Sequence, residues 1–124
     1  MPVFHAPERP THELPGAKFT ALSTPTRGAV DTSVWTVELT PGTPPTPHQV
    51  TREEVFVVLS GAATVRLAGV EAVASVGDAI VVPADTPFEI SANGSEPLRA
   101  VCCLPVGGQA RLPDGQTFTP PWAQ

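Results

Sequence analysis

The stretch GTPPTPHQVTREEVFVVLSG, residues 42–61, decides the expected fold. PGTPPTP at residues 41–47 predicts a rigid loop, because its four prolines fix the backbone dihedral φ. VFVVL at residues 55–59 is continuous, β-branched and aromatic. Such a run predicts a strand that is covered on both faces.

Side-chain alternation along a strand indicates which residues of this stretch face the same way. A period of two puts His48 and Val50 on one face of their strand. The same rule predicts a second set of residues on one face, and this set comprises Glu54, Phe56, Val58 and Ser60. If these faces line the interior, the protein has a mostly apolar pocket with one imidazole and one carboxylate. Apolar walls with few polar groups are typical of small-molecule sites.

Further short apolar segments lie on both sides of this stretch. SVWTVEL at residues 33–39 predicts a half-buried strand, with Trp35, Val37 and Leu39 on one face and Ser33, Thr36 and Glu38 elsewhere. Gly61, Gly69 and Gly77 lie eight residues apart and bound the strand-length segments AATVRLA and VEAVASV. The other predicted strands are AIVVP (79–83), PFEI (87–90) and LRAVCCLPV (98–106). Regular short strands with turn signals predict an all-β sandwich or barrel.

Composition supports this fold class and indicates one domain. The 124 residues include sixteen prolines and ten glycines, which disfavours long helices. We expect residues 1–17 to form an extended, Pro-rich N-terminal arm. Residues 18–124 then form a single β-barrel domain with a loop-like C-terminal tail, in which Phe118 and Trp122 are candidate anchors.

The net charge of −5 and the cysteine pattern restrict the partners and the compartment. An acidic chain with one Lys and no basic cluster argues against nucleic-acid binding and against a basic membrane-surface helix. No segment approaches the length of a membrane helix, and the N-terminus does not resemble a secretory signal. Cys102 and Cys103 are adjacent, so we expect no disulfide between them and a reducing cytoplasm.

Two spaced motifs of the chain resemble those of the cupin family. In the first motif of that family, Gly is followed by His-x-His, Glu and a second Gly; here Gly42, His48, Glu54 and Gly61 have the matching spacing. In the second, Gly77 and Pro83 match, and Asn93 falls one residue late. The resemblance covers about residues 30–105. It implies a jelly-roll-like β-barrel of two antiparallel sheets and a homodimer, since small cupins commonly pair.

The metal site that the resemblance implies is incomplete in this sequence. Cupins typically hold one divalent metal through three His and one Glu, and the corresponding positions here are His48, Val50, Glu54 and Phe88. Val50 and Phe88 offer no lone pair, so two of four ligands remain. Zn, Fe, Ni or Mn would suit imidazole plus carboxylate. Replacement ligands would have to come from another group of residues, namely His5, His12, Glu13, Cys102 and Cys103.

Each candidate site residue also has a structural interpretation. His48 can be a hydrogen-bonded pocket residue, and Glu54 can pair with Arg52 or Arg66. Phe56 and Phe88 can be core residues, and the cysteines can be small buried hydrophobes. Asp85 is expected to shape the turn after Pro83.

Three functions remain open on these residues. The first is binding of a small organic molecule in an apolar pocket without an intact metal site, with His48, Val50, Glu54, Phe56, Val58 and Phe88 around the ligand. The second is a cupin enzyme, either a metal-dependent oxygenase or isomerase, or a metal-free isomerase or cyclase with His48 and Glu54 as catalytic base and acid. The third is an interaction role, in which the arm adds a strand to a partner's sheet.

Overall fold

The computed structural model describes residues 3–124, and strands make up nearly all of its regular structure. The strands are β1 (His12–Leu14), β2 (Ala17–Ser23), β3 (Thr32–Leu39), β4 (Gln49–Val50), β5 (Glu54–Ser60), β6 (Ala63–Leu67), β7 (Val70–Ala74), β8 (Ala79–Val82), β9 (Phe88–Ala92), β10 (Leu98–Pro105), β11 (Ala110–Arg111) and β12 (Thr117–Phe118). Two short 3-10 turns lie at Pro25–Arg27 and Pro121–Ala123. No helix within residues 3–124 has the length and apolar character needed to cross a membrane.

Antiparallel pairing organises the strands into one large and two small sheets. The large sheet has the order β1-β2-β3-β10-β5-β8, and the small sheets have the orders β12-β11-β4 and β7-β6-β9. A single hydrophobic core joins the three sheets, with Trp35 from the large sheet and Val50 and Val65 from the small ones. The predicted all-β fold class is therefore confirmed.

The strand β5 lies between β10 and β8 and presents one residue in two to the core. Glu54, Phe56 and Val58 are buried on the same face, as the alternation predicts. The expectation of cover on both faces is wrong, because Val55 and Val57 are half-buried and Leu59 is 43% exposed. This is a one-sided strand whose outer face happens to be apolar.

The glycine spacing marks turns between successive strands. β6 and β7 form a hairpin in which Leu67 pairs with Val70, and the two residues between them, Ala68 and Gly69, have φ values of 49° and 82°. Positive φ at both central residues gives a turn whose twist matches that of the strands. Gly61 serves a different purpose, since a Cβ at its φ of 73° would collide with the carbonyl of Pro97.

Ser33 departs from its predicted place. Ser33 is expected away from the Trp35 face, but it is buried on that face, two residues before Trp35. Its hydroxyl donates a hydrogen bond of 2.9 Å to the carbonyl oxygen of Ala123. A small polar side chain is tolerated at this buried position because the carbonyl of a residue distant in sequence accepts its hydrogen bond.

The two ends of the described chain are more ordered than their composition indicates. Within the expected arm, β1 pairs with β2 through contacts such as His12 with Phe19. Residues 12–14 therefore extend the sheet of their own chain. The tail contributes β11 and β12, and its Trp122 ring stacks on Phe19 with ring centroids 3.6 Å apart.

Candidate functional site: a buried carboxyl in an apolar cavity

A cavity of about 350 Å³ lies inside the barrel, and its walls are mostly apolar. The large sheet contributes alternate residues of β2, β3, β5 and β10, and the rest of the wall comes from Leu14 and Pro15, the segment 43–50, Ile90 and Ser91 of β9, and the tail. Five aromatic side chains line it, namely Phe19, Trp35, Phe56, Phe118 and Trp122. The polar side chains of the wall are Thr43, Thr46, His48, Glu54, Ser91 and Cys102. This volume is within the range of small-molecule pockets.

Glu54 begins β5 and points into this cavity. The residue is 5% exposed, and the structure shows no hydrogen-bond or ion-pair partner for its carboxyl among residues 3–124. Burial raises the pKa of Glu54 to about 8, because the ionised form loses its hydration. The carboxyl is therefore mostly protonated at neutral pH.

The alternative in which Glu54 forms a structural ion pair finds no support in the described part of the chain. Arg66 lies on β6 and pairs instead with Glu71 at 3.5 Å and Glu89 at 3.7 Å. Arg52 is exposed to solvent. The Glu54 carboxyl thus retains unused hydrogen-bonding capacity that faces the cavity.

His48 lies just before β4 and is held by main-chain and side-chain contacts. Its backbone N–H donates to the Phe88 carbonyl at 3.0 Å, and its own carbonyl accepts from the Phe88 N–H at 2.9 Å. The ring lies 4.3 Å from the Phe88 ring, measured between centroids. Nδ1 is 2.8 Å from the carbonyl oxygen of Thr46. A carbonyl only accepts, so Nδ1 carries the proton and Nε2 has the free lone pair of the neutral ring.

The environment of His48 favours this neutral form. Burial lowers the pKa of the imidazole, and the hydrogen bond to Thr46 opposes that shift in part. His48 is therefore a neutral base in the same cavity in which Glu54 is a neutral acid.

Cys102 lines the cavity beside this acid. It is fully buried and pairs with Phe56 across β10 and β5, which places Glu54 diagonally opposite on the same sheet face. Burial first, and then the nearby Glu54, raise the pKa of the Cys102 thiol well above its usual value. Cys103 faces the other side of the sheet and is half-buried, and neither cysteine forms a disulfide.

The structure brings four of the six expected pocket residues to the cavity wall. These are His48, Val50, Glu54 and Phe56. Val58 and Phe88 are buried but lie outside the lining, and the ring of Phe88 packs against His48. The sequence pattern did not predict Leu14, which ends β1, or Pro15, which follows it, although both line the wall.

The donor set does not fit the metal site that the sequence resemblance implies. Of the four corresponding positions, Val50 and Phe88 supply no ligand atom, and their side chains are 3% exposed each. Within residues 3–124, no three His, Cys, Asp or Glu side chains come together in a geometry that could hold an ion. His5 is exposed, and the His12 ring stands edge-on to Trp122, so neither joins His48 and Glu54. A catalytic zinc site needs three protein ligands.

Comparisons with known proteins bear on the fold. The family described as Cupin domain matches residues 35–104. KdgF from Halomonas sp. is 26% identical, with a TM-score of 0.66, and the match covers 77% of this chain and 84% of that one. No curated protein sequence gives a significant match.

Two larger proteins share the architecture over a part of their length. Vicilin from Solanum lycopersicum (tomato) is 25% identical, with a TM-score of 0.71 over 86% of this chain and 32% of that chain. Salicylate 1,2-dioxygenase from Pseudaminobacter salicylatoxidans is 19% identical, with a TM-score of 0.70 over 86% of this chain and 33% of that chain. The chain thus spans about a third of each. The comparisons confirm the predicted fold class.

Proposed function

The chain belongs to the cupin family, and we propose that its barrel binds a small, mostly apolar organic molecule around Glu54 and His48. The observation that carries the proposal is the Glu54 carboxyl, which is buried and lacks a protein partner among the described residues. Burial of a carboxyl without a partner is costly. A ligand polar group that contacts Glu54 would supply the missing partner, and the aromatic walls would enclose the ligand body.

The shape and the composition of the cavity support binding independently of Glu54. Its volume of about 350 Å³ exceeds the roughly 150 Å³ that accommodates a benzene ring in a dry protein cavity. Four prolines in the wall restrict its backbone, namely Pro15, Pro44, Pro45 and Pro120. A site that is formed before the ligand arrives avoids an ordering cost on binding.

A thermal-shift screen with small neutral and charged ring compounds tests this function. We expect some compounds to raise the melting temperature of the protein purified without added metal. Ala17→Phe would fill the cavity and abolish those shifts, because Ala17 lines the wall. Ala6→Phe is the control, since Ala6 is exposed and outside the cavity. Shifts that persist in Ala17→Phe would place the binding elsewhere.

A second candidate function is metal-free acid–base catalysis, such as isomerisation or cyclisation. It is favoured by the opposite pKa shifts of Glu54, raised to about 8, and His48, lowered by burial. A protonated acid and a free base in one cavity can donate and accept protons in the same turnover. In this candidate, Glu54 donates a proton to the substrate and Nε2 of His48 accepts one.

Solvent deuterium exchange into a ligand from the screen distinguishes catalysis from binding. Catalysis predicts incorporation at carbon that is lost in His48→Ala while the thermal shift is retained, and that is also lost in Glu54→Gln when the ligand is saturating. Incorporation that continues at the full rate in His48→Ala would remove His48 from the mechanism.

For the assembly and the compartment, we propose a cytoplasmic homodimer. Four exposed valines support a self-association surface, namely Val70, Val73, Val76 and Val81. Removal of exposed apolar side chains from water is favourable, so a second copy of the chain that covers them would be stabilised. The two free cysteines are consistent with a reducing compartment. Light scattering at micromolar concentration tests the dimer, and a mass of 12.9 kDa would contradict it.

A further inference from the structure

We propose that the cavity prefers organic cations, and specifically amines on an aromatic or other apolar body, with Glu54 as the counter-charge. This inference rests on the proposed binding function and names the class of ligand. Three features of the cavity support it: the charges of its wall, the unpartnered carboxyl of Glu54, and the aromatic side chains around that carboxyl.

The wall of the cavity offers no positive charge to a ligand. Its ionisable side chains are His48, Glu54 and Cys102, and no Lys or Arg of residues 3–124 is among the lining residues. His48 is neutral, since its Nδ1 proton is directed at the Thr46 carbonyl and burial lowers its pKa. Cys102 is a thiol. An organic anion would therefore lose its hydration in this cavity without gaining a counter-ion.

The basic side chains of the chain are used or exposed elsewhere. Arg66 bridges Glu71 and Glu89 on the β7-β6-β9 sheet. Arg111 pairs with Asp85 at 2.9 Å. The overall charge of −5 favours the approach of cations over that of anions. Organic anions are therefore disfavoured twice, by the lack of a positive charge in the cavity wall and by the negative net charge of the chain.

Glu54 gives a cation an advantage over a neutral ligand. Glu54 is mostly protonated at neutral pH, but with a pKa of about 8 roughly one carboxyl in ten is ionised at pH 7, and an adjacent ammonium group would shift it to the carboxylate. A neutral ligand gains one hydrogen bond from it. An ammonium group gains a charge-assisted hydrogen bond, which is shorter and stronger.

Aromatic side chains lie next to this carboxyl on the same sheet face. Phe56 is two residues further along β5, and Cys102 pairs with Phe56 on one side and with Trp35 on the other. Trp35, Cys102 and Phe56 thus form a row across three strands, and Trp35 and Phe56 both line the cavity. The negative face of an aromatic ring attracts a cation, and Trp and Phe rings near a carboxylate suit an ammonium ion.

Three probes with the same ring test this preference by calorimetry on the full chain at neutral pH. They are benzylamine, which is a cation, benzyl alcohol, which is neutral, and benzoate, which is an anion. We expect benzylamine to bind most tightly and benzoate least tightly. Because this comparison uses the unmodified protein, it does not depend on any variant folding. Equal or tighter binding of benzoate, or no binding of benzylamine, would overturn the proposal.

Glu54→Gln identifies the residue responsible. This variant keeps the shape of the side chain and removes the charge, so benzylamine affinity should fall by at least about thirtyfold, the order found when one partner of a buried charge pair is removed. Benzyl alcohol should be affected much less. Glu53→Gln is the matched control, because Glu53 is the exposed neighbour, and it should change neither affinity. An unchanged amine preference in Glu54→Gln would overturn the role of Glu54.

The outcomes also separate this inference from the proposed function. Binding of benzyl alcohol without a preference for benzylamine overturns the cation inference and leaves small-molecule binding in place. Failure of all three probes, together with a thermal-shift screen that finds no compound, overturns both.

Discussion

The Trp122 ring lies flat on the Phe19 ring, with 3.6 Å between centroids and 5° between the ring planes. This contact joins the tail to β2, and both rings also line the cavity. Trp122 therefore attaches the tail to the barrel and also shapes the cavity.

Trp122→Ala should lower the free energy of unfolding by about 2 kcal/mol, below the range for a fully buried Trp because Trp122 is half-buried. Trp122→Phe keeps an aromatic face against Phe19 and should cost less than half as much. Chemical denaturation followed by circular dichroism measures both. Equal losses in the two variants would mean that stacking contributes little.

Glu54 should make the protein less stable as pH rises. Its pKa is about 8 in the folded chain, above its ordinary value of 4.5, so between these values the folded state holds a proton that the unfolded state has released. The stability that the protonated carboxyl provides is fully present below pH 4.5 and is lost as pH rises to about 8. Between these two pH values, the free energy of unfolding falls by at most about 1.4 kcal/mol per pH unit because of this group.

Comparison with Glu54→Gln isolates this effect from other titrating groups. The amide resembles the protonated acid and does not ionise, so the wild type should lose stability relative to the variant as pH rises. Glu53→Gln serves as the control and should follow the wild type at every pH. Parallel pH profiles for the wild type and Glu54→Gln would show that Glu54 has an ordinary pKa.

Restoration of two ligand positions should create a metal site where the natural donor set is incomplete. The double variant Val50→His/Phe88→His adds two imidazoles to His48 and Glu54, so that all four corresponding positions carry a ligand atom. We expect elemental analysis to find close to one zinc per chain in this variant and much less in the wild type. Val50→Ala/Phe88→Ala is the control for loss of packing. Stoichiometric metal in the wild type that disappears in His48→Ala would reveal ligands from another part of the chain.

Gly61 and Gly69 should respond differently to the same substitution. A Cβ at Gly61 meets the Pro97 carbonyl, whereas a Cβ at Gly69 has no neighbour within 4 Å. Both have positive φ, so Gly69→Ala should cost about 1–2 kcal/mol from the backbone alone. Gly61→Ala should cost more because the Pro97 backbone must also move. Thermal denaturation ranks the stabilities of the two variants. An equal loss of stability in Gly61→Ala and Gly69→Ala would contradict the close approach at Gly61.

The sequence was most informative where each residue's environment follows from local periodicity. The alternation in β5 correctly predicted that Glu54, Phe56 and Val58 are buried together, because a strand allows two faces only. It could not predict which face is covered, and the apolar outer residues Val55 and Leu59 led to the wrong expectation of two-sided burial. Composition alone does not distinguish an apolar surface from a core.

The features that depend on distant parts of the chain could not be predicted. The burial of Ser33 depends on the Ala123 carbonyl, 90 residues away in sequence. The strand β1 is three residues long and follows a Pro-rich segment, so periodicity gives it no signal. Leu14 and Pro15 reach the cavity wall only because β1 pairs back on β2.

The adjacent cysteines face opposite sides of β10, and this gives the protein two thiol reporters one residue apart. Cys103 is half-buried and open to an alkylating reagent in the folded state, whereas Cys102 has no exposed surface. With a reagent too large for the cavity that Cys102 lines, the second alkylation must therefore wait until the sheet separates around Cys102. Its rate, followed by mass spectrometry as the addition of a second label, measures how often the barrel opens and how far a bound ligand suppresses that opening.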